Sequence, residues 1–174
     1  MTRPNVLMIM TDQHRPDHLG FGGNDIVQTP ALDALAARSR VFTSAYVANP
    51  LCQPNRCSIL TMRYPSVHGT RHNGIALDWR ANTFVRRLRS EGYRTGLIGK
   101  GHFQNFEYFP EVAQQQFDYS LDEQAVLMDL PDGWDSLESV TRHLDGEVVY
   151  PDDYYGFDHV EILPAHSDHC TGHW

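Results

Sequence analysis

Basic residues are nearly missing from the back of this chain: positions 103 to 174 hold 1 Lys+Arg against 16 Asp+Glu, whereas positions 1 to 102 hold 13 against 6. The front arginines are scattered and no nucleic-acid-binding motif accompanies them, which excludes a nucleic-acid partner. A basic front suits an anionic small molecule, because a cleft lined by one sign of charge concentrates the other. The acidic back reads as a solvated, loop-rich surface. Cysteine is also scarce. Cys52, Cys57 and Cys170 are odd in number and lack framework spacing, so a disulfide scaffold is excluded and a reducing compartment expected. No long hydrophobic run is present: Val6 to Met10 is too short to cross a bilayer, and no small-residue cleavage site follows it. These absences predict a cytoplasmic protein without a membrane partner. Internal repeats and low-complexity tracts are missing too. What remains is 174 residues at 41% apolar content, enough for the core of one domain or of a piece of one.

Patterning predicts an α/β chain. Val6 to Met10 has the continuous apolar character of a strand covered on both faces, and Val41 to Val47 reads as a second strand that Asn49-Pro50 breaks. Between them, Thr29-Pro30 can open a helix with Leu32, Leu35, Ala36 and Ser39 on one face. A short helix is expected over 55–62, and another capped by Asn82 or Thr83 and stopped by Gly92. Tyr93 to Ile98 is the next strand. This alternation is that of a layered fold. Beyond Phe103 the sequence turns aromatic, acidic and punctuated by proline, with a short helix over 137–144 and a strand over 157–163 expected.

Several residues can carry chemistry. Asp12 lies just past the end of the first apolar run, where ligands gather in open α/β sheets, although such an aspartate also suits an Asx-turn or a helix cap. Cys52 keeps unusual company for a small buried hydrophobe: Pro54, and Arg56 with its permanent cation, lie within four residues. Lys100 and His102 alternate at the end of a strand, so in extended chain both side chains project to one side. Three histidines and a cysteine over 166–173 can be drawn as a zinc site, but they pair with no distant second half and read better as a polar loop.

Cys52-Gln53-Pro54-Asn55-Arg56 has the form Cys-x-Pro-x-Arg, and the run from Gly92 to His102 has the form Gly-Tyr-x-Thr-x-x-x-Gly-Lys-x-His. With Asp12 these motifs stand in the order and spacing of the sulfatases, metal-dependent hydrolases of the alkaline-phosphatase superfamily, and the chain resembles that family from residue 4 to about 103. The resemblance implies a three-layer α/β/α sandwich on a mostly parallel sheet. Residues 1–103 would be the N-terminal part of the catalytic domain and 104–174 an acidic, loop-rich segment of it, within a longer protein. It also implies that Cys52 is oxidised by a maturation enzyme to formylglycine (3-oxoalanine). In that family one hydroxyl of the hydrated aldehyde attacks sulfur and expels the alcohol; the other then loses its proton, and its C=O bond forms as sulfate is ejected, restoring the aldehyde.

By the same resemblance Asp12 and Gln13, with the modified Cys52, hold a divalent cation, calcium first and magnesium or manganese as alternatives. Arg56, Lys100 and His102 surround the anion. The implied substrate is a small sulfate ester. Gln13, where many members carry a second acid, resembles the choline sulfatase and phosphonate monoester hydrolase branches, so a phosphonate monoester or phosphodiester hydrolase is the nearest alternative. A non-catalytic protein binding an anion or a metal is the alternative from another class. Gln53, Asn55 and Met62 depart from the family pattern, Met62 standing where glycine is common. Asp158-His159 and Asp168-His169 have the letters of a further ligand pair without the expected surroundings.

Overall fold

The computed structural model describes residues 3–106, 128–146 and 148–163. It divides into two compact units, Met1–Tyr46 and Val47–Trp174.

In the first unit a 3-10 turn, Gly20–Gly22, precedes helix α1, Pro30–Ala36. Proline opens the helix, as its missing N–H is not needed there. Thr29 does not cap its own helix: its hydroxyl accepts from Gly20 N (2.8 Å) and donates to Asp33 Oδ1 (2.9 Å), and Asp33 Oδ1 also accepts from Phe21 N (2.8 Å). Val6 to Met10 is not a strand. Its side chains are 39% to 84% exposed, and Val41 to Val47 is likewise irregular and exposed. A strand exists only when a neighbour takes up its N–H and C=O groups, and the two-stranded sheet of the second unit is the only sheet among the described residues.

The second unit runs α2 (Cys52–Thr61), α3 (Pro65–His68), α4 (Phe84–Ser90), β1 (Gly96–Gly99), a 3-10 turn (Trp134–Ser136), α5 (Val140–Asp145) and β2 (His159–Ile162). Helix α2 starts three residues earlier than its pattern predicts. Pro54 is the reason this is allowed, because it falls in the first turn, where backbone N–H groups have no intrahelical partner. Thr83 caps α4, its hydroxyl accepting from Arg86 N at 3.0 Å and donating to Tyr155 O at 2.7 Å. Gly92, at φ 84°, turns the chain out of the helix.

Strands β1 and β2 pair in parallel from Gly96↔His159 to Gly99↔Ile162, a pairing that bears out both strand expectations and the α/β class. The pair starts at Gly96 because Thr95 is already engaged. Its N–H and hydroxyl reach Asp158 Oδ2, and its hydroxyl reaches Gly156 O at 2.6 Å. The core joins residues from both sides of position 103: Cys57, Leu77, Trp79 and Phe103 pack with Leu137, Tyr154 and Tyr155. Tyr154 lies edge-on to Trp79 (5.7 Å between centroids) and to Tyr155 (4.9 Å), a favoured aromatic geometry. Among the described residues no helix is long and apolar enough to cross a membrane.

Candidate active site

Cys52 is the first residue of α2, half-buried at the end where the helix dipole favours negative charge. Asn73 sits against it. The Asn73 amide lies 3.4 to 3.6 Å from Cys52 Sγ and accepts from Gln53 N at 3.2 Å, so one side chain both caps the helix and touches the thiol. Gln53, a departure from the family pattern, is fully buried and structural. It donates to Ile75 O (2.8 Å) and Asn105 Oδ1 (3.4 Å) and accepts from Gly74 N (2.7 Å), which holds the loop carrying Asn73.

Arg56 lies one helical turn beyond Cys52 and is 6% exposed. It is not the ordinary surface arginine its sequence context alone allows. Its guanidinium donates to Lys100 O at 2.8 Å, fastening α2 to the loop that leaves β1. That loop is not extended. Gly99 and His102 take positive φ of 101° and 56°, so strand alternation does not place Lys100 and His102 side by side. Both instead converge on Phe106: the His102 ring stacks on it at 3.9 Å, and Lys100 Nζ lies 5.4 Å from its centroid.

Glu138 holds the turn from the other side. This carboxylate is fully buried, accepts from the backbone N–H of His102 and of Phe103 (2.9 Å for the latter), and receives the Tyr154 hydroxyl at 2.5 Å. Burial pushes its carboxyl above the usual carboxylate range, and the bonds from Tyr154 and the two N–H groups pull it back. Burial also raises the Tyr154 phenol, which keeps it a donor. Sequence reading missed Asn73 and Glu138. Asn73 carries no local motif, and Glu138 is one of many acids in a segment that reads as surface.

Asp12 and Gln13 lie together in the first unit, both exposed, at a bend where Gln13 has φ 27°. A carboxylate and an amide oxygen are donors that suit a hard divalent cation. Among the described residues no three His, Cys, Asp or Glu side chains gather as a metal cluster. Asp158, which the sequence offers as half of a ligand pair, is committed to the fold: it binds Thr95 and accepts from Arg89 Nε at 2.6 Å, and the Thr95 bonds and Arg89 hold its carboxyl below the usual range. His159 meets Glu161 at 2.8 Å. Asp168-His169 and the histidine-rich stretch 166–173 lie outside the described residues.

The profile of the Sulfatase family matches residues 4–156. The chain is 39% identical over 121 residues to an ulvan-active sulfatase of Formosa agariphila, covering 68% of this chain and 24% of that protein. It is 40% identical over 101 residues to an arylsulfatase of Clostridium perfringens, covering 58% and 21%. A protein solved in complex with its substrate D-glucosamine-2-N,6-O-disulfate superposes with a TM-score of 0.57 at 33% identity, over 59% of this chain and 21% of the other. The chain thus spans under a quarter of the length of these relatives. Its fold is the α/β fold of the alkaline-phosphatase type that such proteins share. With the profile matching most of its length, the chain belongs to the sulfatase family.

Proposed function

We propose that the protein carrying these residues is a sulfatase, a hydrolase of sulfuric esters, and that Cys52, matured to formylglycine, is its nucleophile. The observation that carries this reading is the bond from Arg56 to Lys100 O, which ties the helix bearing Cys52 to the turn bearing Lys100 and His102. Cationic groups held in fixed positions around an anion need no reorganisation during reaction, which is the main advantage of such a site over water. Arg56 supplies a permanent positive charge, Lys100 an amine, and His102 a ring that can donate a hydrogen bond. Asn73 orients whatever atom replaces the Cys52 sulfur. The aldehyde supplies, when hydrated, a hydroxyl nucleophile and a second hydroxyl through which sulfate can leave.

Asp12 and Gln13 would hold a divalent cation, which when bound offsets charge on the ester oxygens. The sulfated glucosamine bound by a structural neighbour supports a small sulfate ester as substrate. Gln13 keeps aryl phosphonates as the competing class.

The test is co-expression with a formylglycine-generating enzyme, followed by mass spectrometry of the Cys52 peptide and turnover of matched aryl sulfate and aryl phosphonate. An aldehyde at Cys52 and a preference for the sulfate are expected. A persistent thiol in that host removes the nucleophile from the reading, and a preference for the phosphonate reassigns the substrate.

A further inference from the structure

The acidic half of the chain places one carboxylate where a solvated surface would not. Glu138 lies after the 3-10 turn Trp134–Ser136, and the stretch around it is stitched to residues 104–106. Leu137 N donates to Gln104 Oε1 at 2.8 Å, and Val140 N donates to Phe106 O at 2.7 Å. These bonds carry the Glu138 side chain under the Lys100-Gly101-His102 turn. There it accepts the consecutive N–H groups of His102 and Phe103. Gly101 leaves room for it: a Cβ at that position would stand 2.9 Å from Glu138 Oε1 and 3.1 Å from Oε2. His102 is held at φ 56°, a left-handed conformation that a non-glycine residue keeps only when its surroundings compensate.

We propose that Glu138 is a positioning residue of the anion site: its carboxylate locks the turn that presents Lys100 and His102. This inference rests on the sulfatase reading for its functional meaning, but the lock can be tested without it. Two charge-assisted bonds to adjacent peptide groups fix the turn's path, and the stack on Phe106 then fixes the His102 ring. Without the carboxylate the left-handed residue loses its compensation, and both side chains leave their common direction.

The test compares the isotopically labelled chain with Glu138→Gln, Gly101→Ala and Tyr150→Phe. In the wild type the amide protons of His102 and Phe103 should lie far downfield and the His102 ring protons upfield over the Phe106 face. Glu138→Gln should erase both signatures. Gly101→Ala, which crowds the carboxylate out of place, should do the same and provides the answer if the Gln variant fails to fold. Tyr150→Phe removes the hydroxyl that donates to Leu137 O, one residue away, and should leave both signatures intact. In matured enzyme Glu138→Gln should lower kcat for an aryl sulfate by on the order of 10- to 100-fold, the cost of misplaced catalytic groups.

Unchanged signatures in both Glu138→Gln and Gly101→Ala, an equal change in Tyr150→Phe, or an undiminished kcat in Glu138→Gln overturns the proposal. If the matured wild type turns over no sulfate ester, the sulfatase reading fails by itself, and the spectra still decide whether Glu138 locks the turn.

Discussion

Met62 ends α2 in the left-handed conformation, φ 58° and ψ 33°, with its N–H bonded to Ser58 O and its side chain 72% exposed. A residue with a Cβ is strained there by about 1–2 kcal/mol, because the Cβ crowds the following carbonyl. Replacing it by glycine removes that strain. It also adds backbone freedom to the unfolded chain, worth about 0.5–1 kcal/mol against folding. Little burial is lost, since most of the side chain already faces water. The net expectation for Met62→Gly is a gain of about 0.5 kcal/mol, or 1–2 °C in Tm at this chain length. Met62→Val supplies the opposite sign, because a β-branched residue is a severe outlier in this region and should cost a further 1 kcal/mol or about that. Urea unfolding followed by tryptophan fluorescence, with Trp79 in the core beside α2, reads both. Glycine at or below the wild type, or valine equal to it, would refute a left-handed Met62.

Thr83→Ala removes an N-cap and leaves Tyr155 O without its donor in the core, so it should destabilise by about 1–3 kcal/mol, with Thr83→Ser recovering most of the loss in the same urea experiment. His68 gives the pH dependence. Its Nδ1 accepts from Thr70 N at 3.2 Å, its Nε2 meets Ser58 Oγ at 2.9 Å, and burial lowers its pKa to about 4. The unfolded chain binds a proton near pH 6.5 that the folded chain resists until about pH 4, so stability falls as pH drops through this window. His68→Gln should flatten that part of the profile, and an unchanged slope would place the titration elsewhere.

The parts of this fold legible in the sequence are those fixed by local chemistry. Proline and threonine announce the starts of α1 and α4, Gly92 announces the end of α4, and a strand is legible around 159–162, where Val160 and Ile162 are β-branched. The strands at Val6 to Met10 and Val41 to Val47 were not realised, because an apolar run states that a segment wants burial and cannot state what pairs with it. The same division runs through the site. The Cys-x-Pro-x-Arg and Gly-Lys-x-His motifs are written in contiguous letters, and the structure places them against one another through Arg56 and Lys100. Asn73 and Glu138 lie 21 and 36 residues from Cys52 and His102, the groups they touch. No periodicity links such distant positions; only the folded path of the chain does.

That path also explains why an acidic segment follows a basic one without segregating from it. The turn from Lys100 to Phe103 exposes a carbonyl on one side and two N–H groups on the other, and each side meets a buried ion of the matching sign: Arg56 on the carbonyl, Glu138 on the N–H groups. Burying a charge is costly unless it is fully hydrogen-bonded, and apolar residues of the same volume often serve stability as well or better. Two such ions around one four-residue turn are therefore a poor way to gain stability and a good way to gain fixed geometry, since charge-assisted bonds are short and directional. Each ion comes from a different half of the chain, Arg56 from the basic front and Glu138 from the acidic back. The front motifs supply the groups proposed to meet the anion, and the back, although it carries no motif, supplies the carboxylate that bonds to the turn bearing two of them.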